Sequence, residues 1–172
     1  MNQYNRLLKL FPNLSSDKSR EFIIGSETAK RNCITASLNM PYPWIWPAYK
    51  SFESNTGEII EAGYWPQHLP IEDYSLNNFL EMYKMFGFEE TDSAEYEDGY
   101  WKNIIYGTDE NNVTHAAHLL KDGRCASKLG TGPLLLHMPE SIVCPTYGNI
   151  IAYVKRPLPL DKNKFKEIIL TT

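Results

Sequence analysis

The pattern of apolar and polar positions divides the chain into a helical half and a strand-rich half. The clearest helix prediction covers 73–87, where apolar residues recur at helical spacing, Asp73 or Ser75 can cap the start and Gly87 ends the pattern. From about residue 102, short apolar runs alternate with turn residues, which predicts antiparallel strands. Helices followed by an antiparallel meander predict an α+β fold in which N-terminal helices pack on the sheet.

The remaining elements are shorter, and polar connections are predicted over 15–19 and 50–58. Helices are predicted over 3–10, 33–39 and 162–169. Strands are predicted over 22–24, 102–106, 113–120, 124–129, 134–137 and 148–155. The acidic stretch 89–98 predicts a solvated loop. We expect one domain over 1–172, with its core at about 11–156 and a tail over 157–172.

The short helix predicted at Cys33 carries the first chemical signal. Asn32 is a good N-cap, and Pro41 prevents the helix from continuing beyond Asn39. The start of a helix exposes unpaired N–H groups and a partial positive charge, and both favour a thiolate over a thiol. This position therefore suits Cys33 as a nucleophile.

A nucleophilic cysteine also needs a histidine brought in by the fold. His115 begins the strand predicted over 113–120, and His118, three residues later, projects from the opposite face. The two cannot both face Cys33, and an active site normally lies at strand ends, so we expect His115 to be the base. A third polar group would orient its imidazole. Ser127, Asp122 and His137 are all candidates, and spacing does not separate them.

Two aromatic stretches, 41–47 and 63–66, are the candidate walls of a substrate groove. Their rings can supply large contact areas with little loss of rotamer entropy, or they can cover the core beneath a loop. The expected groove residues are Trp44, Trp46, Tyr64 and Trp65.

Two polar residues have both a functional and a structural interpretation. Asn32 could donate a hydrogen bond to an oxyanion or serve only as a cap. Lys128 could bind an anion or be an ordinary strand-edge lysine.

Composition and charge exclude several classes of protein. The 172 residues are 42% hydrophobic with a net charge of −4 and no basic run, so we expect no nucleic-acid partner. No stretch approaches a membrane span and no signal peptide is evident, so we expect no membrane association and a cytoplasmic location, with signal-independent export left open. Three widely spaced cysteines suit a reducing compartment.

A metal site is the alternative use of these side chains. The possible zinc ligands are Cys33, Cys125, His115, His118 and His137, but their spacing matches no closed zinc motif. Cys144 lies in an apolar context typical of core. We therefore expect no metal and no other cofactor.

Several short blocks resemble a family of small, functionally uncharacterised bacterial proteins that carry an Asn-Cys-Ile-Ala-Trp-Ala-like block and a Thr-His-Ala-Ala block. The resemblance runs from about residue 11 to 156. The blocks occur in order at 32–36, 44–47 with 64–66, 114–117, 122–124, 127–130 and 147–148.

More distantly, the layout resembles the papain-like superfamily in its NlpC and CHAP branches, where a cysteine begins a helix and a histidine begins a strand of the following sheet. That resemblance implies a Cys–His hydrolase or transferase acting on peptide, amide or acyl bonds. Cys33 and His115 match by position, and the third member falls near Ser127, an unusual type there. The Trp that usually follows the cysteine is absent from Thr35-Ala36-Ser37.

Two functions follow as expectations. The first is a papain-like thiol hydrolase or transferase with a peptide or protein substrate, of a size that fits a bacterial effector. The second is a non-catalytic, protein-binding or immunity-type module in which Cys33 is structural and the aromatic and acidic surface blocks a partner. A Cys33–His115 pair opening onto a cleft would favour the first, and a sealed cysteine the second.

Overall fold

The computed structural model describes residues 3–14, 22–48, 52–53, 59–60 and 63–172. The polar connections expected over 15–19 and 50–58 lie outside those ranges, apart from 52–53. Helix α1 spans Gln3–Leu10, α2 Cys33–Ser37, α3 Leu76–Met85 and α4 Lys162–Thr171, and a 3-10 turn covers Pro139–Ile142. No helix within the described ranges has the length and apolarity needed to cross a membrane.

A seven-stranded antiparallel sheet forms the body of the structure. The strands are β1 Phe22–Gly25, β2 Phe52–Glu53, β3 Ile59–Ile60, β4 Glu89–Thr91, β5 Tyr100–Asp109, β6 Asn112–Leu119, β7 Cys125–Lys128, β8 Leu134–His137 and β9 Asn149–Pro157. Their order in the sheet is β1-β8-β7-β6-β5-β9-β4, and β2 and β3 form a separate two-stranded ladder. The α+β prediction and its antiparallel sheet are confirmed.

Apolar clusters cover both faces of this sheet. Ile105 and Ala116 belong to the cluster that contains α2 and α3, whereas their neighbours Ile104 and Ala117 belong to the cluster that contains α1 and the 3-10 turn. Successive side chains of a strand point to opposite faces, so each face has its own core. Helix α2 packs against β6 and β7 on the first face.

The helix predicted over 73–87 is α3. Ser75 caps it, because its hydroxyl accepts a hydrogen bond from the Asn78 N–H (3.3 Å), and Gly87 follows its end with φ +84°.

The acidic stretch 89–98 differs from the loop predicted there. Its first three residues form β4, which pairs with β9 as an edge strand of the sheet. Glu89 and Glu90 are exposed, so their carboxylates stay in water while the backbone hydrogen-bonds to β9.

The two aromatic stretches are joined to each other through their backbones. The Tyr64 N–H donates to the Trp44 carbonyl (2.7 Å), and the Trp46 N–H donates to the Tyr64 carbonyl (3.2 Å). A Cβ at Gly63 would lie 1.7 Å from the Trp44 oxygen, so only glycine permits this approach. The contact holds Trp44 and Trp46 in place beside α2.

Candidate functional site

Asn32 connects the start of α2 to the first aromatic stretch. Its side-chain oxygen accepts from the Thr35 N–H (3.1 Å), and its side-chain nitrogen donates to the Ile45 carbonyl (2.7 Å). The residue is buried, and these two bonds fix where the helix begins. Cys33 therefore occupies the first helical position, as the sequence predicts.

The Cys33 thiol is largely enclosed, with 5% of the residue exposed. Burial raises the pKa of this thiol to about 11, although backbone N–H groups of Ala116, Ile34 and Cys33 hydrogen-bond to the sulfur and oppose the shift. Desolvation outweighs the hydrogen bonds because it penalises the thiolate. At neutral pH Cys33 is a thiol.

His115 lies against two tyrosine rings. It stacks on Tyr147 with ring centroids 4.4 Å apart and planes 14° apart, and the Tyr106 ring centroid lies 5.7 Å away. Its Nε2 is buried and has no hydrogen-bond partner among the described residues. Burial holds the pKa of His115 well below its usual value, with a smaller contribution from His137, so the imidazole is neutral at pH 7.

One cavity of about 210 Å³ is lined by both Cys33 and His115. Its wall also includes Asn32, Trp44, Trp46 and Tyr147. A larger cavity of about 340 Å³ lies against α1 and is lined by neither Cys33 nor His115. The fold therefore brings together two residues of complementary acid–base chemistry that lie far apart in the sequence.

A β-bulge lies directly before His115 in β6. His115 pairs with Tyr106 and Val113 with Gly107, so Thr114 is an extra residue in β6. Bulges bend a strand and redirect its side chains, and they occur often beside active sites. The bulge lies near the start of β6, and both Thr114 and His115 line the 210 Å³ cavity.

His118 lies away from this cavity. Its ring stacks on Trp101 with centroids 3.5 Å apart, and its Nδ1 donates to the Lys102 carbonyl (3.0 Å). Burial lowers the pKa of His118 to about 4.

The three candidates for orienting the His115 imidazole, Ser127, Asp122 and His137, do not line this cavity. Ser127 donates from its hydroxyl to Nε2 of His137 (2.7 Å), because Nδ1 of His137 donates to the Met138 carbonyl (2.7 Å). Both residues are buried, and neither lines the 210 Å³ cavity. Asp122 forms an ion pair with Arg124 (2.7 Å) in the turn between β6 and β7.

Three expected groove residues are also outside the cavity wall. Lys128 is fully buried, and its Nζ donates to the carbonyls of Thr28 (2.9 Å), Gly130 and Gly132. Trp65 packs edge-on against Phe79, with centroids 5.1 Å apart, and the Tyr64 hydroxyl hydrogen-bonds to Thr172. In these contacts the three side chains pack against or hydrogen-bond to other parts of the fold.

Metal ligands are not clustered in the part of the chain that the structure describes: no three or more His, Cys, Asp or Glu side chains are grouped there. Cys33, Cys125 and Cys144 are all buried, free cysteines.

Sequence reasoning missed Thr114, Gly130 and Tyr147 as parts of the cavity wall. Tyr147 is placed by a turn in which the Gly148 N–H donates to the Cys144 carbonyl (2.7 Å), and Thr114 donates from its hydroxyl to the Tyr147 carbonyl. The Tyr-Gly pair at 147–148 is a local signal for the turn that places Tyr147. It marks a turn but does not show which residues the turn contacts.

The fold and the site define an α+β protein with a buried cysteine and histidine on the wall of one cavity. Residues 22–155 match the family described as "Domain of unknown function (DUF7689)", and the chain belongs to this family. The matched range contains Cys33 and His115. No curated protein and no solved structure matches the chain.

Proposed function

We propose that this chain is a papain-like thiol hydrolase or transferase that acts on a peptide, amide or acyl bond of a peptide or protein substrate. The observation that carries the proposal is the cavity of about 210 Å³ that is lined by both Cys33 and His115. Cys33 begins a helix that packs against the strand carrying His115, and this layout resembles that of the papain-like superfamily.

The protonation states support a general-base mechanism. A thiol with a raised pKa and a neutral imidazole do not form a resting ion pair, so the proton moves as the reaction proceeds. His115 takes the proton of Cys33 while the sulfur attacks the substrate carbonyl carbon. His115 then donates that proton to the leaving amine or alcohol as its bond to carbon breaks, which leaves a thioester.

Water or another acceptor completes the cycle. The imidazole removes a proton from the acceptor, the acceptor oxygen or nitrogen attacks the thioester, and the carbon–sulfur bond breaks. The departing sulfur recovers the proton from His115. Water as acceptor gives hydrolysis, and an amine or alcohol gives transfer.

A second candidate, a non-catalytic binding or immunity-type module, is favoured by the low exposure of Cys33 and the raised pKa of its thiol. Both features are typical of a structural cysteine. In that case the aromatic surface would contact a protein partner without chemistry.

Alkylation of Cys33 separates the two candidates. We would treat the native protein with iodoacetamide at pH 7.5 and measure modification of each cysteine by peptide mass spectrometry. The variants are His115→Ala and His115→Gln, with His118→Ala as the matched control. The fully buried Cys125 reports unfolding within the same sample.

If the protein is a thiol enzyme, Cys33 should react in the native state while Cys125 stays protected. Removing a general base should slow Cys33 by about a hundredfold in both His115 variants and leave His118→Ala near wild type. If Cys33 reacts only together with Cys125, or equally fast without His115, the thiol-enzyme proposal is wrong.

A further inference from the structure

The cavity of about 340 Å³ against α1, which we call the α1 cavity, is separate from the residues of the proposed active site. Its helical wall is formed by Gln3, Arg6, Leu7 and Leu10. These positions follow the i, i+3, i+4, i+7 spacing of a single helix face. The rest of the wall comes mainly from the turn between β7 and β8 and from the turn at 144–147. Small-molecule sites measure about 300–1,000 Å³, so the α1 cavity has the size of such a site.

The buried part of the α1 cavity is apolar. Leu7, Phe11 and Leu129 line it, and all three are buried members of the apolar cluster that contains α1. The Tyr147 ring also lines the cavity and lies against Phe11, with ring centroids 5.3 Å apart. Because these side chains are held by packing, an apolar group that enters the cavity replaces water over a preformed surface.

Two opposite charges lie on the solvent side of the α1 cavity. Arg6 and Glu27 both line it, and both are exposed. Oε1 of Glu27 accepts a hydrogen bond from the side-chain nitrogen of Gln3 (2.6 Å), and Gln3 and Arg6 are neighbours on the helix surface at i, i+3. Among the described residues Arg6 forms no ion pair, with Glu27 or with any other carboxylate. A cation and an anion therefore stand near each other on one rim without neutralising each other.

We propose that the α1 cavity binds a small zwitterion with an apolar side chain, namely a free apolar α-amino acid. The Arg6 guanidinium donates to the α-carboxylate, the Glu27 carboxylate accepts from the α-ammonium, and the side chain lies on the apolar part of the wall. A ligand with a single charge would meet one opposite and one like charge, whereas a zwitterion complements both. The site does not depend on the thiol-enzyme function, because it uses neither Cys33 nor His115.

Isothermal titration calorimetry of the full chain with four small probes tests the proposal. L-Phenylalanine carries both charges and an apolar ring. Phenethylamine lacks its carboxylate, 3-phenylpropanoate lacks its ammonium, and glycine keeps both charges but has no side chain. The wild-type protein should bind L-phenylalanine saturably and about fivefold more tightly than each of the other three probes, since each of them loses one of the three contacts.

Two variants assign the charges to their partners. Arg6→Gln should weaken L-phenylalanine about fivefold, to the affinity of phenethylamine, without weakening phenethylamine itself. Glu27→Gln should likewise bring L-phenylalanine to the affinity of 3-phenylpropanoate without weakening 3-phenylpropanoate. Lys9→Gln is the matched control for Arg6→Gln, because Lys9 is an exposed cation of the same helix that does not line the α1 cavity. It should leave the affinity for L-phenylalanine unchanged.

Several results would overturn the proposal. L-Phenylalanine that shows no saturable binding would mean that the α1 cavity is not an amino-acid site. Binding of 3-phenylpropanoate as tight as that of L-phenylalanine would indicate a site for anions, and equally tight binding of phenethylamine would indicate a site for cations. A loss in Lys9→Gln as large as that in Arg6→Gln would show a general effect of net charge instead of a contact in the cavity.

Discussion

At the scale of single residues, burial determines the chemistry of Cys33 and His115. The thiol pKa rises and the imidazole pKa falls, so each side chain is neutral where a resting ion pair would have both charged. The His115 ring stacks on Tyr147, and its Nε2 has no hydrogen-bond partner among the described residues.

The Cys33 thiol should make stability depend on pH in alkaline solution. Its pKa rises from 9.0 in the unfolded chain to about 11 in the fold, so the folded state retains the proton longer. This contribution is fully present below pH 9 and is lost as pH rises from 9 to 11. Urea unfolding should show wild type losing about 2 kcal/mol more than Cys33→Ala over that interval.

Cys125, whose thiol pKa burial raises to about 12, is present in both proteins and cancels from the difference. Parallel curves for wild type and Cys33→Ala would contradict the raised pKa of Cys33.

At the scale of elements, α2 is too short to be stable alone and depends on its cap and its packing. Asn32 satisfies the helix start and the Ile45 carbonyl at once, which joins the helix to the aromatic stretch. The position of Cys33 therefore depends both on the cap at the start of α2 and on the bond from that cap to the aromatic stretch 41–47.

Removing this cap should cost more than removing an ordinary one. Asn32→Ala leaves the Thr35 N–H and the Ile45 carbonyl buried without their partner, so we expect a loss of roughly 2–3 kcal/mol of unfolding free energy. Ser75→Ala, the matched control at the start of α3, should cost about 1 kcal/mol. Urea unfolding of the two variants provides the comparison, and equal losses would show that the Ile45 bond contributes nothing.

At the scale of the whole molecule, Lys128 connects distant parts of the chain. Its buried ammonium holds the carbonyl of Thr28, before α2, and those of Gly130 and Gly132, in the turn between β7 and β8. Gly130 also lines the cavity. The same side chain therefore supports the turn between β7 and β8, the segment before α2 and one wall of the cavity.

Replacing Lys128 should destabilise the fold strongly. Lys128→Met keeps the apolar stem but leaves three carbonyls without this donor, so we expect a loss of roughly 3 kcal/mol or more in unfolding free energy. Lys121→Met is the control, since that side chain is 78% exposed and lies 3.6 Å from Asp98; it should change stability by less than about 0.5 kcal/mol. Urea denaturation measures both, and a Lys128 loss as small as that of Lys121 would contradict this role.

Prediction from sequence succeeded for features that depend on residues close together in the chain. It failed for features that depend on contacts between distant segments. The cap at Asn32, the helix from Cys33 and the apolar stripe of α3 all follow from residues a few positions apart. The burial of Lys128 could not be predicted, because a lysine at a strand end is usually exposed and its three carbonyl partners come from separate turns.

The sequence by itself determined the α+β class, the antiparallel arrangement of the later strands and the start of a helix at Cys33. Short-range periodicity, capping and turn residues are sufficient for these, because they act within one element. Tertiary structure alone decided that Cys33 and His115 share a cavity, that Tyr147 stacks on the imidazole and that burial keeps both groups neutral. Those features depend on contacts between segments far apart in the chain and on desolvation by distant side chains, and neither leaves a periodic pattern in the sequence.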